Sequence, residues 1–158
     1  FDPRGDGTDL PDVFGACKKP LIAAVNGHAI TGGFELALNC DFIIAAENAR
    51  FCEIFVNIGL IMDYGGTYLL PRLVGLAKAR ELAMLGDEID SNTAASIGLI
   101  YKSVPEEQLE AEVQNLANTL AQKPPLALRL IKEGLENSFD MSLKQVLDFD
   151  VASPLDCR

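Results

Sequence analysis

The sequence predicts an α/β domain in which strands and helices alternate first and helices dominate later. Two continuous apolar runs, PLIAAVN (20–26) and DFIIAA (41–46), are typical of short strands buried on both faces of a sheet. Residues 32–40 between them predict a helix, and from residue 109 onward apolar residues recur at helical spacing. This order of elements favours an α/β core followed by a helical region.

The segments around these runs complete the first half of the chain. Residues 1–19 are polar and rich in turn-forming residues, which predicts a loop. Residues 49–66 mix β-branched and aromatic side chains and close on two glycines, which predicts a short strand followed by a loop. Residues 67–86 predict two helical pieces divided near Pro71 and Gly75, because proline and glycine interrupt helices.

The second half begins with a short helix, for which Ser91 is the expected N-cap and Gly98 the end. LIYKSV (99–104) predicts a further strand. Two amphipathic helices follow, and their apolar positions are Leu109, Val113, Leu116 and Leu120 in the first and Leu128, Ile131, Leu135 and Phe139 in the second.

The composition is that of an ordinary globular domain with an excess of acids. The chain has 158 residues, which suits one domain, and 49% of them are apolar and 23% charged. Its net charge of −10 argues against nucleic acid or an anionic membrane as a partner, because both bind clustered lysines and arginines. The apolar runs are also far too short to span a bilayer.

The cysteines follow neither a metal-binding nor a disulfide pattern. None of Cys17, Cys40, Cys52 and Cys157 belongs to a CxxC pair and the chain has a single His, so we expect no metal site. Free cysteines in apolar surroundings fit a reducing compartment, so we expect a cytoplasmic protein. No targeting segment is visible, and an organelle matrix is the alternative if one preceded the chain.

The segment NGHAITGGFELALNCD (26–41) places several glycines and one acid at a strand–helix junction, and three interpretations are open. A nucleotide loop is the weakest, because Gly33 and Phe34 occupy the positions where a P-loop needs Lys and Ser or Thr. A structural turn is the second, because glycines allow close packing and acids are favoured in a first helical turn. Asp41, after the helix, is expected to accept hydrogen bonds from backbone N–H groups.

An oxyanion hole is the third interpretation, and it explains the glycines and the acid together. A helix N-terminus offers unpaired N–H donors, and glycine at position 32 lets a carbonyl oxygen approach them closely. Glu35 would lie one turn into the helix, close enough to move a proton beside that carbonyl.

Here the chain resembles the enoyl-CoA hydratase/isomerase family, the crotonases. The resemblance starts at KPLIAAVNGHAITGGFELALNCDFIIAAENARF (19–51), continues from GLIMDYGGTYLLPRLVG (59–75) to residue 105, and fades in PPLALRLIKEGLENS (124–138). It implies a crotonase-like spiral of ββα units with a C-terminal helical region, assembled as a homotrimer or hexamer. It also implies an acyl-CoA substrate stabilised as an enolate, with no cofactor other than the coenzyme A of that substrate.

The resemblance assigns roles to five residues. Gly32 matches the position whose backbone N–H forms half of the oxyanion hole, and Gly33 would support that turn. Glu35 matches one of the two catalytic glutamates of the hydratases, and Asp63 lies where several isomerase-type members carry a working Asp. His28, ahead of the glycines, would line the pocket, although a lone histidine is more often a structural, hydrogen-bonded residue.

The chain departs from the hydratase pattern at Phe55, which occupies the position of the second catalytic glutamate. Glu53 lies two residues away and would share a face with Phe55 in a strand, but its reach is open. One carboxylate can remove and return the same proton in an isomerase, so the departure favours isomerisation over hydration. Asp63 is the candidate second group, and as a residue ahead of two glycines it also fits a plain turn.

The resemblance further predicts a single partial domain over residues 1–158, with a core match at about 19–138. The loop that supplies the second oxyanion donor, and much of the coenzyme A surface, would precede FDPRGDGTDL (1–10), and VASPLDCR (151–158) has no counterpart in the family. We expect an enzyme that hydrates an enoyl-CoA or moves its double bond. A catalytically silent crotonase-fold piece that serves assembly is the alternative.

Overall fold

The computed structural model describes residues 10–152, so the expectations for residues 1–9 and 153–158 lie outside the described part of the chain. The strands within it are β1 (Ile22–Val25), β2 (His28–Ile30), β3 (Phe42–Ala46), β4 (Arg50–Cys52), β5 (Ile89–Asp90) and β6 (Lys102–Val104). The α-helices are α1 (Leu10–Ala16), α2 (Gly32–Leu38), α3 (Gly66–Leu85), α4 (Ser91–Ser96), α5 (Leu109–Ala121), α6 (Pro125–Asn137) and α7 (Leu143–Ala152), and two 3-10 helices span Ile54–Ile58 and Glu106–Gln108.

These strands form two three-stranded sheets. In the first sheet the order is β1-β3-β6 and both pairings are parallel, with Ile22 opposite Phe42. In the second sheet β2 pairs parallel with β4, and β4 pairs antiparallel with β5. The chain therefore passes from one sheet to the other between β1 and β2, and again between β3 and β4.

This alternation produces two successive ββα units, the first made of β1, β2 and α2 and the second of β3, β4 and α3. Each unit gives one strand to each sheet before its helix begins. The α/β class predicted from the sequence and the ββα unit implied by the family resemblance are confirmed, and the helices α5, α6 and α7 follow as the predicted helical region.

The main core lies between α2, the strands and α3. Phe34 of α2 packs edge-on against Phe51 of β4 with ring centroids 5.5 Å apart, and neither side chain is more than 1% exposed. Leu70 and Leu82 of α3 are buried in the same cluster. Burying a side chain of this size stabilises the fold by roughly 1.5–3 kcal/mol, so this packing fixes the start of α2 against the end of β4.

Two of the sequence predictions were wrong in detail, and one strand was missed. The loop predicted for residues 1–19 contains α1 in its described part. The strand His28–Ile30 was not anticipated, because three residues are too few to show an alternating pattern. Ser91 is not the N-cap of α4: the Oδ1 of Asp90 accepts the N–H of Thr93 at 2.7 Å, and Ser91 is the buried first residue of the helix.

The two helical pieces predicted for residues 67–86 are joined in α3. Its backbone leaves the helical region at Gly75, where φ is 76° and ψ is 158°, so the division lies at this glycine. Pro71 is accommodated inside the helix, one turn before that break. Gly86 ends α3 with a φ of 66°, a conformation that glycine adopts without steric cost.

The apolar face predicted for α6 is largely exposed. The helix ends at Asn137, so Phe139 lies beyond the helix to which its spacing assigned it. Ile131, Leu135 and Phe139 are 58%, 67% and 68% exposed. No helix in the described part of the chain is long and apolar enough to cross a membrane.

Asp41 joins the end of α2 to both the first sheet and α6. Its Oδ2 accepts the backbone N–H of Leu21 and the Nζ of Lys132, both at 2.7 Å. The Lys132 side chain is only 8% exposed, so its charge needs this partner inside the protein. The expectation that Asp41 accepts a backbone hydrogen bond is confirmed, and its ion pair with α6 was not anticipated.

Candidate active site

The backbone before α2 leaves two amide groups free at the start of the helix. Thr31 has a φ of 51° and a ψ of −125°, and its N–H donates to the carbonyl of Cys52 at 3.0 Å. Its own carbonyl accepts the N–H groups of Phe34 and Glu35 at 2.8 and 3.0 Å. Among the described residues, the N–H groups of Gly32 and Gly33 have no such acceptor.

The conformation of Thr31 is rare for a residue with a side chain and costs on the order of 1–3 kcal/mol. The bond to Cys52 anchors this turn to β4, and α2 begins at the next residue. The strained turn thereby determines the direction in which the N–H of Gly32 points. Backbone strain of this kind is common at sites where one group must be held in place.

Glu35 lies in the first turn of α2 and is completely buried. A Cβ atom added to Gly66, the first residue of α3, would overlap the carboxylate of Glu35. A Cβ atom added to Gly32 would lie 3.2 Å from the ring of Tyr64. Asn39 ties α2 to the same loop, because its Nδ2 donates to the carbonyls of Glu35 at 2.8 Å and Tyr64 at 3.0 Å. The loop 59–65 and the start of α3 therefore enclose the Glu35 side chain.

Glu35 and Glu53 are two buried carboxyl groups whose oxygens have no hydrogen-bond partner among the described residues. Glu53 follows β4 and is 1% exposed. Burial is the largest cause, and together with interactions with Asp63 and Glu53 it raises the pKa of Glu35 to about 9. Burial also raises the pKa of Glu53 to about 8, with a further contribution from the charge of Asp63.

The two residues therefore hold their protons at neutral pH, since an unpaired buried carboxylate is strongly disfavoured. The carboxyl group of Asp63 comes close enough to raise the pKa of Glu35, but the pair does not reach hydrogen-bond geometry. Three acidic side chains from α2, the end of β4 and the loop before α3 are thus brought into one electrostatic cluster. We call Glu35, Glu53 and Asp63 the carboxyl cluster.

Asp63 is the exposed member of the carboxyl cluster. It lies in a tight turn in which Tyr64 and Gly65 both have positive φ, 41° and 87°. Its carbonyl accepts the N–H of Gly66 at 2.7 Å, so the turn leads directly into α3. Asp63 is therefore both a residue of the turn and a neighbour of Glu35. Its predicted role in proton transfer is compatible with this position.

Glu53 is the functional candidate that the sequence left open. The chain leaves β4 at Cys52 and enters a 3-10 helix at Ile54, so Glu53 and Phe55 do not belong to one strand. Phe55 is buried and places an apolar ring where the hydratase pattern has a carboxylate. An acid inside the otherwise apolar stretch FCEIFV was the signal that could have identified Glu53.

His28 occupies a different position from the carboxyl cluster. It is the exposed first residue of β2 and pairs in register with Arg50, whereas its neighbour Ala29 is buried in the core. Its pocket-lining role stays a prediction. Within residues 10–152, no group of three His, Cys, Asp or Glu side chains could hold a metal ion.

Comparisons with known sequences find enzymes that act on acyl-CoA thioesters. A sequence profile described as enoyl-CoA hydratase/isomerase matches residues 3–153. The chain is 45% identical over 132 residues to the crotonyl-CoA hydratase of Syntrophomonas wolfei, covering 81% of this chain and 51% of that protein. It is 42% identical over 160 aligned positions to the 1,2-epoxyphenylacetyl-CoA isomerase of Escherichia coli, covering 94% of this chain and 61% of that protein.

Solved structures of similar proteins have the same fold. An enoyl-CoA hydratase/isomerase from Cupriavidus metallidurans superposes with a TM-score of 0.89 at 36% identity, covering 93% of this chain and 56% of that one. A candidate enoyl-CoA hydratase from Thermobifida fusca, solved in complex with CoA, superposes with a TM-score of 0.81 at 36% identity. The superposition covers 84% of this chain and 51% of that one. The crotonase-like fold is thereby confirmed, and the chain spans about half to three fifths of the length of these relatives.

Proposed function

The chain belongs to the enoyl-CoA hydratase/isomerase family, and on that premise we propose that the protein moves or hydrates the double bond of an enoyl-CoA thioester. One observation carries the proposal: the fully buried, unpartnered carboxyl of Glu35 lies one turn from the free N–H of Gly32. A backbone donor stabilises the developing oxyanion and a nearby carboxyl moves the proton, which are the two requirements of enolate chemistry.

Double-bond isomerisation is the reaction that the carboxyl cluster supports best. The thioester oxygen accepts a hydrogen bond from the N–H of Gly32, and the turn at Gly33 keeps that donor in place. The exposed Asp63 removes a proton from C2 of a 3-enoyl thioester, and the C–H electron pair delocalises into an enolate on the thioester oxygen. As the electrons return, a double bond forms between C2 and C3, and Glu35 delivers its proton to C4.

The environments of the two acids suit these roles. Glu35 holds a proton at neutral pH because burial, Asp63 and Glu53 all raise its pKa, so it enters the reaction as the acid. Asp63 is exposed, which leaves its carboxyl group in contact with solvent.

Hydration is the second candidate, and Glu53 is the observation that favours it. Adding water across a double bond needs one group to activate the water and another to protonate carbon. Phe55 supplies neither, but Glu53 is a second buried carboxyl in the cluster with Glu35. In its ionised form Glu53 would activate the water while Glu35 protonates carbon. In that reaction the water oxygen bonds to C3 and a proton is added at C2. The name of the Syntrophomonas wolfei relative, a crotonyl-CoA hydratase, supports this alternative.

A product assay separates the two candidates. The longest form of the protein is incubated with a 3-enoyl-CoA and, separately, with a 2-enoyl-CoA, while the absorbance of the conjugated thioester and the product mass are followed. A rise in conjugated absorbance at constant mass identifies isomerisation, and a mass gain of one water identifies hydration. Failure of the longest form to convert either compound would contradict the proposal and favour the silent assembly piece.

We also propose that coenzyme A enters only as part of the substrate and that the protein assembles as a homotrimer or hexamer. Backbone donors and carboxyl groups provide the activation described above, so the reaction needs no further cofactor. The exposed apolar side chains of Ile131, Leu135 and Phe139 support burial of this face in an assembly. Sedimentation equilibrium measures the assembly directly, and a monomer at working concentration would contradict that part of the proposal.

A further inference from the structure

Glu53 is a buried acid for which the described part of the fold provides no hydrogen-bond partner. It is 1% exposed, and neither of its carboxyl oxygens has a hydrogen bond among the described residues. A polar group buried without a hydrogen bond typically destabilises a protein by about 1–3 kcal/mol. Glu53 therefore does not anchor the described structure through its carboxyl group, and a structural role does not explain why an acid is present.

Among the described residues, the charged groups that act on Glu53 and Glu35 are all acidic. Asp63 contributes its charge from the loop before α3, and Glu35 faces the cluster from α2. Cys52 precedes it on β4, and its thiol is engaged with the carbonyl of Gly86 at 3.2 Å. No Lys, Arg or His contributes to the pKa of Glu53 or of Glu35. A proton is thus the only positive charge that the described surroundings offer to these two carboxyl groups.

We propose that Glu53 is a positioning residue whose charge controls the protonation of Glu35. The two side chains come from successive ββα units, Glu35 from α2 and Glu53 from the end of β4, and the bond between Thr31 and Cys52 fixes these segments to each other at 3.0 Å. Loss of the proton from Glu53 places a negative charge in the cluster and makes a second ionisation there unfavourable. Glu35, which is protonated at neutral pH, is thereby kept in its acid form when the pH rises far enough to ionise Glu53. This inference rests on the proposed role of Glu35 as the proton-transferring group.

The direct test is a carbon-13 NMR titration of the glutamate carboxyl carbons in the longest form of the protein. Glu35→Gln assigns the Glu35 resonance, because that resonance disappears. In the wild type we expect coupled titration, with a curve shallower than that of a single group. In Glu53→Gln, which keeps the shape of the side chain and cannot ionise, the midpoint of Glu35 should fall by roughly 0.5 to 1 pH unit.

Glu107→Gln is the matched control, because it removes one exposed carboxylate from the turn before α5. It should leave the Glu35 midpoint unchanged within about 0.1 to 0.2 pH unit, since exposed charges are screened by solvent and salt. The pH dependence of kcat/KM for an enoyl-CoA is then measured for the same variants. The part of this pH profile that follows the ionisation of Glu35 should shift by the same amount as the NMR midpoint.

An unchanged or raised midpoint in Glu53→Gln would overturn the inference. A titration curve for Glu35 in the wild type that fits a single independent group would also overturn the inference. This second outcome does not depend on whether the variant folds. A lowered midpoint in a protein that converts no enoyl-CoA would support the coupling and contradict the proposed function instead. The two proposals can therefore fail separately.

Discussion

Gly66 lies against the carboxylate of Glu35 so closely that its position has no room for a Cβ atom. Gly66 at the start of α3 and Glu35 in the first turn of α2 therefore pack directly against each other, although 31 positions separate them in the sequence. The Gly65–Gly66 pair, which the sequence suggested as a turn, thus has a second purpose. It provides the space in which a buried carboxyl can lie.

Gly66→Ala should disturb Glu35 more than it disturbs the fold. The new methyl group would push the carboxyl aside, and overpacking of this kind typically destabilises by about 1–3 kcal/mol. Because a small displacement of a reacting group can reduce a rate about 100-fold, we expect the loss of enoyl-CoA turnover to exceed that of stability. Gly27→Ala is the control, since a Cβ there meets nothing within 4 Å. Equal turnover in the two variants would contradict the packing argument.

The carboxyl cluster should make the protein less stable as pH rises. Glu35 and Glu53 have pKa values of about 9 and about 8 in the folded protein, against 4.5 for the free side chain. Between these limits the folded state binds more protons than the unfolded state, so the free energy of unfolding falls with increasing pH. Each group contributes a slope of up to about 1.4 kcal/mol per pH unit.

Glu35→Gln removes one of these groups and should flatten that slope. We expect the variant to gain stability relative to the wild type between about pH 6 and pH 8, by on the order of 1 kcal/mol per pH unit. Urea denaturation at the two pH values measures the difference. A gain of the same size at both values would show that Glu35 is ionised in the folded protein and that its pKa is not raised.

Asp63→Asn tests the proposed proton acceptor. If Asp63 removes the C2 proton, isomerisation should slow by roughly 10²- to 10⁴-fold, because a positioned acid or base typically contributes that much. Asp87→Asn, which changes an exposed acid in the loop after α3, should leave the rate nearly unchanged. Rates within about threefold for Asp63→Asn and the wild type would leave Asp63 as a turn residue.

The ion pair between Asp41 and Lys132 should stabilise the attachment of α6 to the first sheet. Asp41→Ala removes the shortest contact of the Lys132 ammonium, which is 8% exposed, and leaves it Glu136 at 3.7 Å and the carbonyl of Lys19 at 3.4 Å. Because a hydrogen bond to a charged group is lost, the substitution should cost about 1.5–3 kcal/mol. Glu81→Ala breaks an exposed pair with Lys78 of similar length, 2.6 Å, and should cost less than about 1 kcal/mol. Denaturant unfolding compares the two, and equal losses would show that burial does not strengthen the first pair.

The parts of the fold that the sequence predicted are those with strong local patterns. The runs that became β1 and β3 are continuously apolar, and the helix α5 repeats its apolar residues at helical spacing. The strand His28–Ile30 has too few residues to show a pattern, and α1 begins in a polar segment whose proline and glycine suggested a loop. Asp90 rather than Ser91 caps α4, a difference of one residue that local propensity does not resolve, because both residue types cap well.

Glu35 could be predicted because glycines and an acid at a helix start form a local pattern. The contribution of Glu53 could not, because it depends on where the chain leaves β4 and on the loop that brings Asp63 back toward α2. The ion pair of Asp41 with Lys132 joins residues 91 positions apart and is likewise a product of tertiary packing. Local chemistry thus identified Glu35 and its glycines, and the family resemblance pointed to Asp63. The fold showed that Asp63 and Glu53 act on the protonation of Glu35.

The most direct test of the central claim is the turnover of enoyl-CoA by Glu35→Gln in the longest form of the protein. The substitution keeps the shape of a fully buried side chain and removes only its ability to exchange a proton. We predict a loss of roughly 10²- to 10⁴-fold in kcat for the reaction that the wild type performs, with Glu107→Gln unaffected. A loss smaller than about tenfold, in a variant that folds and binds the substrate, would contradict the role of Glu35 as the proton-transferring group.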